Sequence, residues 1–169
     1  MIKSKTKPPR AIIQTFSTIH ALVEKLKDAE RILVVVGAGI SVSSGFPDFR
    51  SKNGIYDLVR LLKLDLVHPE DLFDLESFIH DPKPFYSFAR SKMYSVNERL
   101  PSITHWFLKS IEEKGKLLRI YSQNIDGLED QVGLKRVVPC HGSLLGATCL
   151  DCRLKYNEKI KAKVLSEEV

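Results

Sequence analysis

The chain has 169 residues, 43% of them hydrophobic, and a formal net charge of +5 at pH 7. That length and hydrophobic fraction suffice for one globular domain with its own core. No apolar run reaches the roughly 18 residues that a membrane span needs, and the N-terminus lacks the apolar core of a secretory signal. The basic residues are dispersed along the chain. We therefore expect an intracellular protein that binds neither membranes nor nucleic acids directly.

A basic segment precedes the first predicted helix. Residues 1–11 contain four basic residues, no acidic residue and the pair Pro8 and Pro9, which is typical of a flexible, solvated lead-in. A mitochondrial presequence or a nuclear signal is the alternative. Apolar residues then recur at steps of four and three, at Ile12, Phe16, Ile19, Val23 and Leu26. That spacing predicts one apolar face of a helix.

The stretch ILVVVGAGISVSSGFPDFR, from Ile32 to Arg50, carries the strongest functional signal. Its first five residues are mostly β-branched and predict a strand that is buried on both faces. Gly37 and Gly39 follow at the carboxyl end of that strand, where open α/β sheets bind their ligands. Glycines there let backbone amides approach a phosphate group at a helix start. The sequence therefore predicts a nucleotide pocket.

An ordinary nucleotide-binding oxidoreductase is the disfavoured interpretation of this stretch. The dinucleotide fingerprint needs a third glycine, and Val42 occupies that position. Asp57 follows the glycines by about 20 residues, as the ribose-binding acid of the fingerprint would. No second strand is predicted between them to carry that acid, so the fingerprint is incomplete.

The region after Arg50 predicts a loop followed by short helices. The turn-forming residues Ser51–Tyr56 favour a loop that closes over a ligand. Residues 57–100 alternate short apolar clusters with three prolines, which predicts short helices joined by tight turns. Five aromatic residues of this region are expected to pack together rather than to form a stacking platform; they are Phe73, Phe78, Phe85, Tyr86 and Phe88.

A second helix and strand pair is predicted next. Residues 101–114 start near Pro101 and end before Gly115, which predicts a helix. His105 within it is expected to pack or to cap the helix. The run Leu117–Tyr121 predicts a second buried strand, and a βαβ-type return places its end beside that of the first strand.

Two polar clusters follow the later strands. SQNIDGLE, from Ser122 to Glu129, suits recognition of an amide and two ribose hydroxyls, although a simple asparagine-aspartate turn is the alternative. PCHGS follows Val137–Val138, and His141 there is a candidate general base. A cysteine hydrolase pair of Cys140 with His141 is disfavoured, because adjacent strand residues point to opposite faces.

The cysteines predict half of a zinc site. Cys149 and Cys152 have metal-ligand spacing, but a tetrahedral structural zinc needs four ligands. Residues 153–169 contain no cysteine or histidine and end in a charged run that predicts a solvated helix. A redox C-x-x-C lacks its thioredoxin-like context here. The odd count of three cysteines disfavours a disulfide framework and fits a reducing compartment.

Four motifs in this order carry a family resemblance: GAGIS with G-x-PDFR, FDLESFIHDPKPFYSFA, SQNIDGLE and HGS. Together they resemble the signatures of the class I sirtuins, which are NAD-dependent protein deacylases, over about residues 12–156. The resemblance implies an α/β fold, with a Rossmann-like parallel sheet, a helical insertion and a small zinc-binding module that is incomplete here. It divides the chain into a basic segment (1–11), a partial catalytic domain (12–148, with a cofactor loop at 49–57 and the insertion at about 57–100) and the first half of the zinc module (149–169).

The implied reaction transfers an acyl group from a protein lysine, as in a histone, to ADP-ribose and releases nicotinamide from NAD. The resemblance makes His141 the base that activates a ribose hydroxyl, and it makes Cys149 and Cys152 two of four structural zinc ligands. It assigns NAD contacts to Gly37, Ala38, Gly39, Ser41, Asp48, Phe49, Arg50, Tyr56, Gln123, Asn124, Ile125 and Asp126. It places the acyl-lysine entrance partly in the insertion, and it favours the nucleus slightly over the cytoplasm, with a role in chromatin silencing.

The family's second zinc pair and the glycine- and serine-rich turns that bind the adenosine half of NAD do not occur in these 169 residues. The alternative hypothesis is therefore a truncated, catalytically inactive fragment that binds NAD or a partner, or an incomplete gene model. Under that hypothesis, we expect strands that should be covered to be left with an open apolar edge.

Overall fold

The structure, a computed structural model, describes residues 18–94 and 99–156. A parallel sheet of three strands lies at its centre, in the order β1 (Ile32–Val36), β2 (Leu117–Ser122) and β3 (Val137–Pro139). The last residue of β1 pairs with the last of β2, which pairs with the last of β3. The carboxyl ends of the strands therefore meet at one edge. This confirms the predicted adjacency of the first two strand ends.

The remaining elements are short. The α-helices of the described residues are α1 (Ile19–Asp28), α2 (Ile55–Leu61), α3 (Leu75–His80), α4 (Lys83–Phe88), α5 (Ile103–Glu113) and α6 (Leu128–Gln131). Single 3-10 turns lie at Ala38–Ile40, Val42–Ser44 and Pro69–Phe73, and a π-helical turn lies at Ala89–Tyr94. An antiparallel pair, β4 (Ala147–Thr148) and β5 (Lys155–Tyr156), closes the described chain. Among the described residues, no helix has the length and apolar character that crossing a membrane requires.

The first hydrophobic core lies between α5 and one face of the sheet. Leu108 and Ile111 of α5 are spaced by three residues, so they share a helix face, and they pack against Leu117 and Ile120 of β2. All four are buried. Burial of each such side chain contributes about 1.5–3 kcal/mol. This core fixes the strands whose ends carry the polar clusters, and α5 agrees with the helix predicted over residues 101–114.

The other face of the sheet is uncovered in the described chain. Leu33 and Val35 of β1 are 54% and 64% exposed, and Tyr121 of β2, which pairs with Val35, is also exposed. The prediction that β1 is buried on both faces is therefore wrong for the described residues. The cause is that α5 packs against one face alone, while side chains alternate between faces along a strand.

The second core belongs to the helical insertion. Val59 of α2, Leu72 and Phe88 of α4 are buried together, and the aromatic residues contact one another edge to face, as Phe78 and Phe85 do at a centroid distance of 5.4 Å. The predictions of short helices and of aromatic packing in residues 57–100 are confirmed. This core packs the short helices together beside the carboxyl edge of the sheet.

Helix α1 confirms part of the first predicted helix. Thr18 caps it by accepting a hydrogen bond from the N–H of Ala21 at 3.2 Å. The apolar side chains of Ile19 and Val23 remain exposed, and Lys116 ties the helix to the sheet by donating to the carbonyl of Lys27. Ile12, Phe16, the basic segment 1–11 and the helix expected near the C-terminus lie outside the described residues.

Candidate active site

A cavity of 760 Å³ lies where the carboxyl edge of the sheet meets the helical insertion. Eight of the residues predicted to form the site line it, namely Ala38, Ser41, Phe49, Gln123, Asn124, Ile125, Asp126 and His141. The other predicted cofactor residues, Gly37, Gly39, Asp48, Arg50 and Tyr56, are not among its lining residues. The structure therefore gathers side chains from three separate motifs around one space of ligand size.

The polar wall of the cavity is a hydrogen-bonded network. The Ser41 hydroxyl donates to Asp126 Oδ2 at 2.8 Å and accepts from Asn124 Nδ2 at 3.2 Å. Asn124 Nδ2 also donates to the carbonyl of Gly37 at 3.1 Å, and Asp126 Oδ1 accepts from the N–H of Leu128 at 3.0 Å. These bonds join the end of β1 to the end of β2. The amide and carboxylate are thus oriented before any ligand arrives.

His141 stands at the rim with one nitrogen engaged. Its Nδ1 lies 3.0 Å from the carbonyl oxygen of Gln123. A carbonyl oxygen can only accept, so Nδ1 carries the proton in this contact and Nε2 keeps a free lone pair. The side chain is exposed and lines the cavity. In this tautomer the lone pair of Nε2 is available to accept a proton, as a general base requires.

Cys140, the neighbour of His141, is not a cavity-lining residue. Its thiol donates to the carbonyl of Val138 at 3.6 Å, and both Cys140 and His141 lie in a turn that follows β3. The thiol is therefore not placed over the cavity beside the imidazole. The strand alternation on which the sequence argument relied does not apply, because both residues lie in the turn.

The glycine-rich turn differs from the prediction of a helix start. Ala38–Ile40 and Val42–Ser44 form two single 3-10 turns, and Gly45 reverses the chain at φ +83°. The N–H of Phe46 closes the reversal by donating to the carbonyl of Ser41. A chain that turns back so soon cannot extend a helix. A Cβ on Gly39 would meet no atom within 4 Å, so the turn leaves open space above the backbone.

The predicted cofactor loop is pinned by Asp48. Its carboxylate accepts from the Ser51 hydroxyl and from the N–H groups of Ser51 and Arg50, and these bonds hold the pKa of Asp48 below its usual range. Ile55 N–H donates to the Asp48 carbonyl at 2.7 Å and starts α2. The predicted loop at 49–57 therefore ends earlier than expected, because its last three residues are helical.

Phe49 at the start of this loop lies in an aromatic cluster. Its ring contacts Tyr56 at a centroid distance of 5.8 Å and Phe73 at 5.7 Å, both edge to face. Tyr56 thus supports Phe49 from behind, although it does not itself line the cavity. Arg50 is exposed. The loop presents one aromatic ring to the cavity and keeps its charged residue at the surface.

Sequence reasoning did not predict the apolar wall of the cavity residue by residue. Besides Phe49, that wall consists of Phe46, Pro47, Ile55, Leu72, Phe73, Leu75, Phe78, Phe85, Phe88 and Leu144. Most of these residues come from the insertion. The available signal was the clustering of aromatic residues after Pro69, which indicated packing but not the face that stays open. The wall makes the cavity mostly apolar, and an apolar wall excludes water.

Sequence reasoning also missed a layer of buried polar residues beneath the polar wall. His105 and Glu129 are 0% and 5% exposed, and a ring nitrogen of His105 lies within 4.8 Å of carboxylate oxygens of Glu129 and Asp126. Burial lowers the pKa of His105, and the two carboxylates oppose that shift. Arg99 stacks on Phe46 at 4.0 Å from the ring centroid, and burial lowers its pKa, against the influence of Asp126.

The cysteine pair occupies the turn between β4 and β5. Hydrogen bonds from the N–H groups of Cys152 and Asp151 lower the pKa of the Cys149 thiol, and Arg153 completes the turn at φ +61°. Amide donors aimed at a sulfur stabilise the thiolate form that binds zinc. Within the described ranges, no group of three potential metal ligands includes either cysteine. The two cysteines thus share one turn, in which hydrogen bonds favour the thiolate form of Cys149.

Comparison with known proteins gives a family match. The model of the Sir2 family matches residues 37–169. The chain is 45% identical over 163 residues to the NAD-dependent protein deacetylase sir-2.1 of Caenorhabditis elegans, covering 96% of this chain and 26% of that protein. It is 46% identical over 160 residues to the NAD-dependent histone deacetylase sirtuin-1 of Drosophila melanogaster, covering 94% and 19% respectively.

Two solved structures are similar in fold. One comes from work on the structural basis of sirtuin substrate affinity, and the other is a Sir2 protein with a deacetylated p53 peptide and 3'-O-acetyl ADP-ribose. Each has a TM-score of 0.73 and 32% sequence identity to this chain. The matches cover 89% and 88% of this chain but 58% and 56% of the solved chains. The chain thus spans about a fifth to a quarter of the curated relatives named above and just over half of these solved chains.

Proposed function

The chain belongs to the Sir2 family, and we propose that it is part of an NAD-dependent protein-lysine deacetylase. The reaction would transfer the acyl group from lysine to ADP-ribose and release nicotinamide. One water balances it, so that NAD, acyl-lysine and water give nicotinamide, free lysine and O-acyl-ADP-ribose. The observation that carries this proposal concerns His141, whose Nδ1 lies 3.0 Å from the Gln123 carbonyl oxygen. Its Nδ1–H is held by the Gln123 carbonyl, so Nε2 is the proton acceptor at the rim of the cavity.

His141 acts as the general base. With Nε2 unprotonated, the imidazole takes the proton of a ribose hydroxyl and makes that oxygen able to attack the acyl group. A positioned general base supplies about 10²–10⁴-fold in rate. The Gln123 carbonyl then stabilises the imidazolium that forms, because it continues to accept from Nδ1–H. Loss of the imidazole therefore removes the proton acceptor while the fold keeps its packing.

The polar wall holds the nicotinamide side of NAD. NAD supplies a ribose carbon whose bond to nicotinamide can break. Asn124 and Asp126 offer an amide and a carboxylate that Ser41 already orients, and such groups suit a carboxamide and ribose hydroxyls. The open space above Gly39 gives the cofactor room to lie against the backbone. The same network stabilises the charge that develops on the ribose as its bond to nicotinamide lengthens.

The apolar wall shields the reacting ribose and receives the substrate side chain. Phe49, braced by Tyr56 and Phe73, closes the cavity against water, which would otherwise compete with the acyl group. An acylated lysine enters along the insertion, where apolar side chains accept its aliphatic stem. The substrate is an acylated protein such as a histone. The Drosophila relative is named a histone deacetylase, which supports this choice of substrate, and a histone substrate favours the nucleus over the cytoplasm.

A structural zinc is also part of the proposal. Cys149 and Cys152 would supply two thiolates, and the N–H groups that lower the pKa of Cys149 would stabilise them. The remaining two ligands would come from outside the described residues or from another chain. The zinc would hold the β4–β5 pair together and would take no part in acyl transfer.

A protein that binds NAD or a partner without catalysis is the second candidate. The exposed apolar face of the sheet, with Leu33 and Val35, favours it, because a contiguous exposed apolar surface is typical of an interaction site. Both candidates share the cavity and its polar wall. They differ in whether nicotinamide release and acetyl transfer follow the binding of NAD.

The deciding experiment uses the 169-residue polypeptide and a hybrid in which the C-terminal remainder of the Caenorhabditis elegans relative follows residue 169. Each is incubated with NAD and an acetylated histone peptide, and nicotinamide and O-acetyl-ADP-ribose are measured. The unacetylated peptide is the control. Acetyl-dependent formation of both products by the hybrid supports the deacetylase. A folded hybrid that binds NAD but forms neither product contradicts it and favours the binding protein.

A further inference from the structure

The buried layer beneath the polar wall contains His105, which has a hydrogen-bond donor without an acceptor, and Glu129, a buried carboxylate that requires donors. His105 lies on α5, behind the wall, and neither it nor Glu129 lines the cavity. One ring nitrogen of His105 and one oxygen each of Glu129 and Asp126 lie within 4.8 Å of one another. Asp126 belongs to both the layer and the wall. The layer is therefore in a position to act on the site from behind.

The hydrogen bonds of His105 establish its tautomer. The N–H of Ser102 donates to Nδ1 at 3.1 Å, and the Ser102 hydroxyl lies 2.8 Å from the same nitrogen. An atom that accepts from a backbone N–H carries no proton, so the proton of the neutral ring is on Nε2. Nε2 is buried and has no partner among the described residues. A buried donor without an acceptor is costly.

Glu129 is the complementary group. It is a buried carboxylate on α6, and its Oε1 accepts from the Ser122 hydroxyl at 2.6 Å. A buried carboxylate needs several donors to offset its loss of hydration. A protonated Nε2 cannot ligate a metal ion, so the cluster is a hydrogen-bonding arrangement and not a cation site. Two buried donors without a partner are near these carboxylates: Arg99 Nη1, whose side chain interacts electrostatically with Asp126, and the imidazole, which is near both Asp126 and Glu129.

Two chains of hydrogen bonds lead from these carboxylates to Asn124. Asp126 reaches the Asn124 side-chain amide through the Ser41 hydroxyl. Glu129 reaches the Asn124 backbone N–H through the Ser122 hydroxyl, which accepts from that N–H at 3.1 Å. A ring nitrogen of the imidazole lies within 4.8 Å of the carboxylate oxygens at the start of both chains. It can therefore fix the orientation of the wall without touching a ligand.

We propose that His105 is a positioning residue, whose Nε2–H reaches the carboxylates of Glu129 and Asp126 through one water and so orients Asp126 and Asn124. This inference rests on the proposed function only in naming NAD as the ligand of that wall. His105 thus has two separable contacts, because Nδ1 caps α5 and Nε2 supports the site.

Two substitutions separate the contacts. His105→Asn puts a side-chain oxygen near the place of Nδ1, which keeps the cap and removes the donor to the carboxylates. His105→Gln carries an amide N–H to the place of Nε2, which keeps that donor and removes the cap. Ser102→Ala is the matched control, because it removes the hydroxyl from the cap and touches neither carboxylate.

The first measurement is the imidazole ¹H–¹⁵N spectrum of the 169-residue chain, which needs no ligand. We expect a proton on Nε2 of His105 and none on Nδ1, and we expect Glu129→Gln to shift the Nε2–H resonance. A proton on Nδ1, or an Nε2 resonance that Glu129→Gln leaves in place, overturns the proposal whether or not the protein is a deacetylase.

The second measurement is NAD affinity by NMR titration, with the thermal midpoint of each variant. His105→Asn weakens NAD binding about tenfold or more, as loss of a hydrogen bond to a charged group does, with a small change in midpoint. His105→Gln and Ser102→Ala lower the midpoint and keep affinity within about twofold. If affinity instead follows the midpoint across the three variants, His105 is merely structural and the proposal is wrong. If neither the wild-type chain nor the hybrid described under the proposed function binds NAD, the proposed ligand is wrong, and the spectrum alone decides the contact.

Discussion

Gly54, in the predicted cofactor loop, lies where the structure has no space for a side chain. A Cβ at this position would lie 2.7 Å from the carbonyl oxygens of both Asp48 and Ser51, and 3.1 Å from Asp48 Oδ1. Backbone φ there is −70°, which any residue adopts, so the constraint is space and not backbone conformation. These two carbonyls also accept from the N–H groups of Ile55 and Gly54 itself, each at 2.7 Å. Gly54→Ala must therefore move the backbone that holds the loop.

The magnitude follows from those contacts. Forcing one methyl group into a filled space costs about 1–3 kcal/mol, and weakening the two backbone hydrogen bonds adds about 1 kcal/mol. We expect Gly54→Ala to lower the free energy of unfolding by about 2–4 kcal/mol, a large share of the 5–15 kcal/mol of a typical domain. The measurement is urea unfolding followed by circular dichroism.

Gly39→Ala is the matched control for this prediction. No atom lies within 4 Å of a Cβ there, so its effect on unfolding stays within about 0.5 kcal/mol. It instead fills the space proposed for the cofactor, and we expect it to weaken NAD binding. The two alanine variants should thus rank in opposite orders for stability and for affinity. Equal stability of Gly54→Ala and wild type would show that the loop is not held as described, and would refute the reasoning.

Four further outcomes are expected. In the hybrid described above, His141→Ala lowers NAD-dependent acetyl transfer by at least about 10² with an unchanged thermal midpoint; near-wild-type activity would remove His141 from the mechanism. The 169-residue polypeptide by itself retains far less than one zinc per chain after dialysis, because Cys149 and Cys152 supply two of four ligands; stoichiometric, chelator-resistant zinc in the monomer, measured by elemental analysis, would contradict this. Expressed alone, the same polypeptide releases nicotinamide much more slowly than about 1 per second, because contacts on one side of NAD provide only part of the binding energy for turnover. A micromolar dissociation constant for NAD by calorimetry, together with turnover at about 1 per second or faster, would contradict this prediction. Burial lowers the pKa of His105 from 6.5, so the unfolded chain binds this proton at a higher pH than the folded chain does. As pH falls below about 6.5, the free energy of unfolding should therefore decrease until the folded pKa is passed. His105→Asn should abolish this pH dependence of the urea midpoint.

Local patterns in the sequence predicted the elements that carry the polar wall. The β-branched run of β1 and the bounded apolar run of β2 predicted parallel neighbours, and the structure confirms them. Because the carboxyl ends of parallel strands meet at one edge, the sequence alone was enough to predict that Ser41 lies near Asn124 and Asp126. The structure places these side chains within hydrogen-bonding distance of one another.

Other features depend on contacts that no local pattern encodes. The reversal at Gly45 ends the glycine-rich turn before a helix can form, and a sequence shows only that glycine permits it. His105 and Glu129 are 24 residues apart and belong to different helices, so their meeting depends on how α5 and α6 pack against β2. The exposure of one face of β1 likewise depends on which other elements pack against the sheet, and the composition of β1 does not determine it.

The cavity lies at the boundary between the two hydrophobic cores, and this explains how a ligand would affect the molecule. Its polar wall is attached to the sheet core, through Ser122 and the end of β2, whereas its apolar wall belongs to the insertion core, with Leu72 and Phe88. A ligand that contacts both walls connects the two cores and stabilises the arrangement by mass action. Asp48 and Phe49 lie between them on the pinned loop. Hydrogen exchange of the N–H groups of this loop should therefore slow on NAD binding more than exchange in β2, which the sheet core already protects.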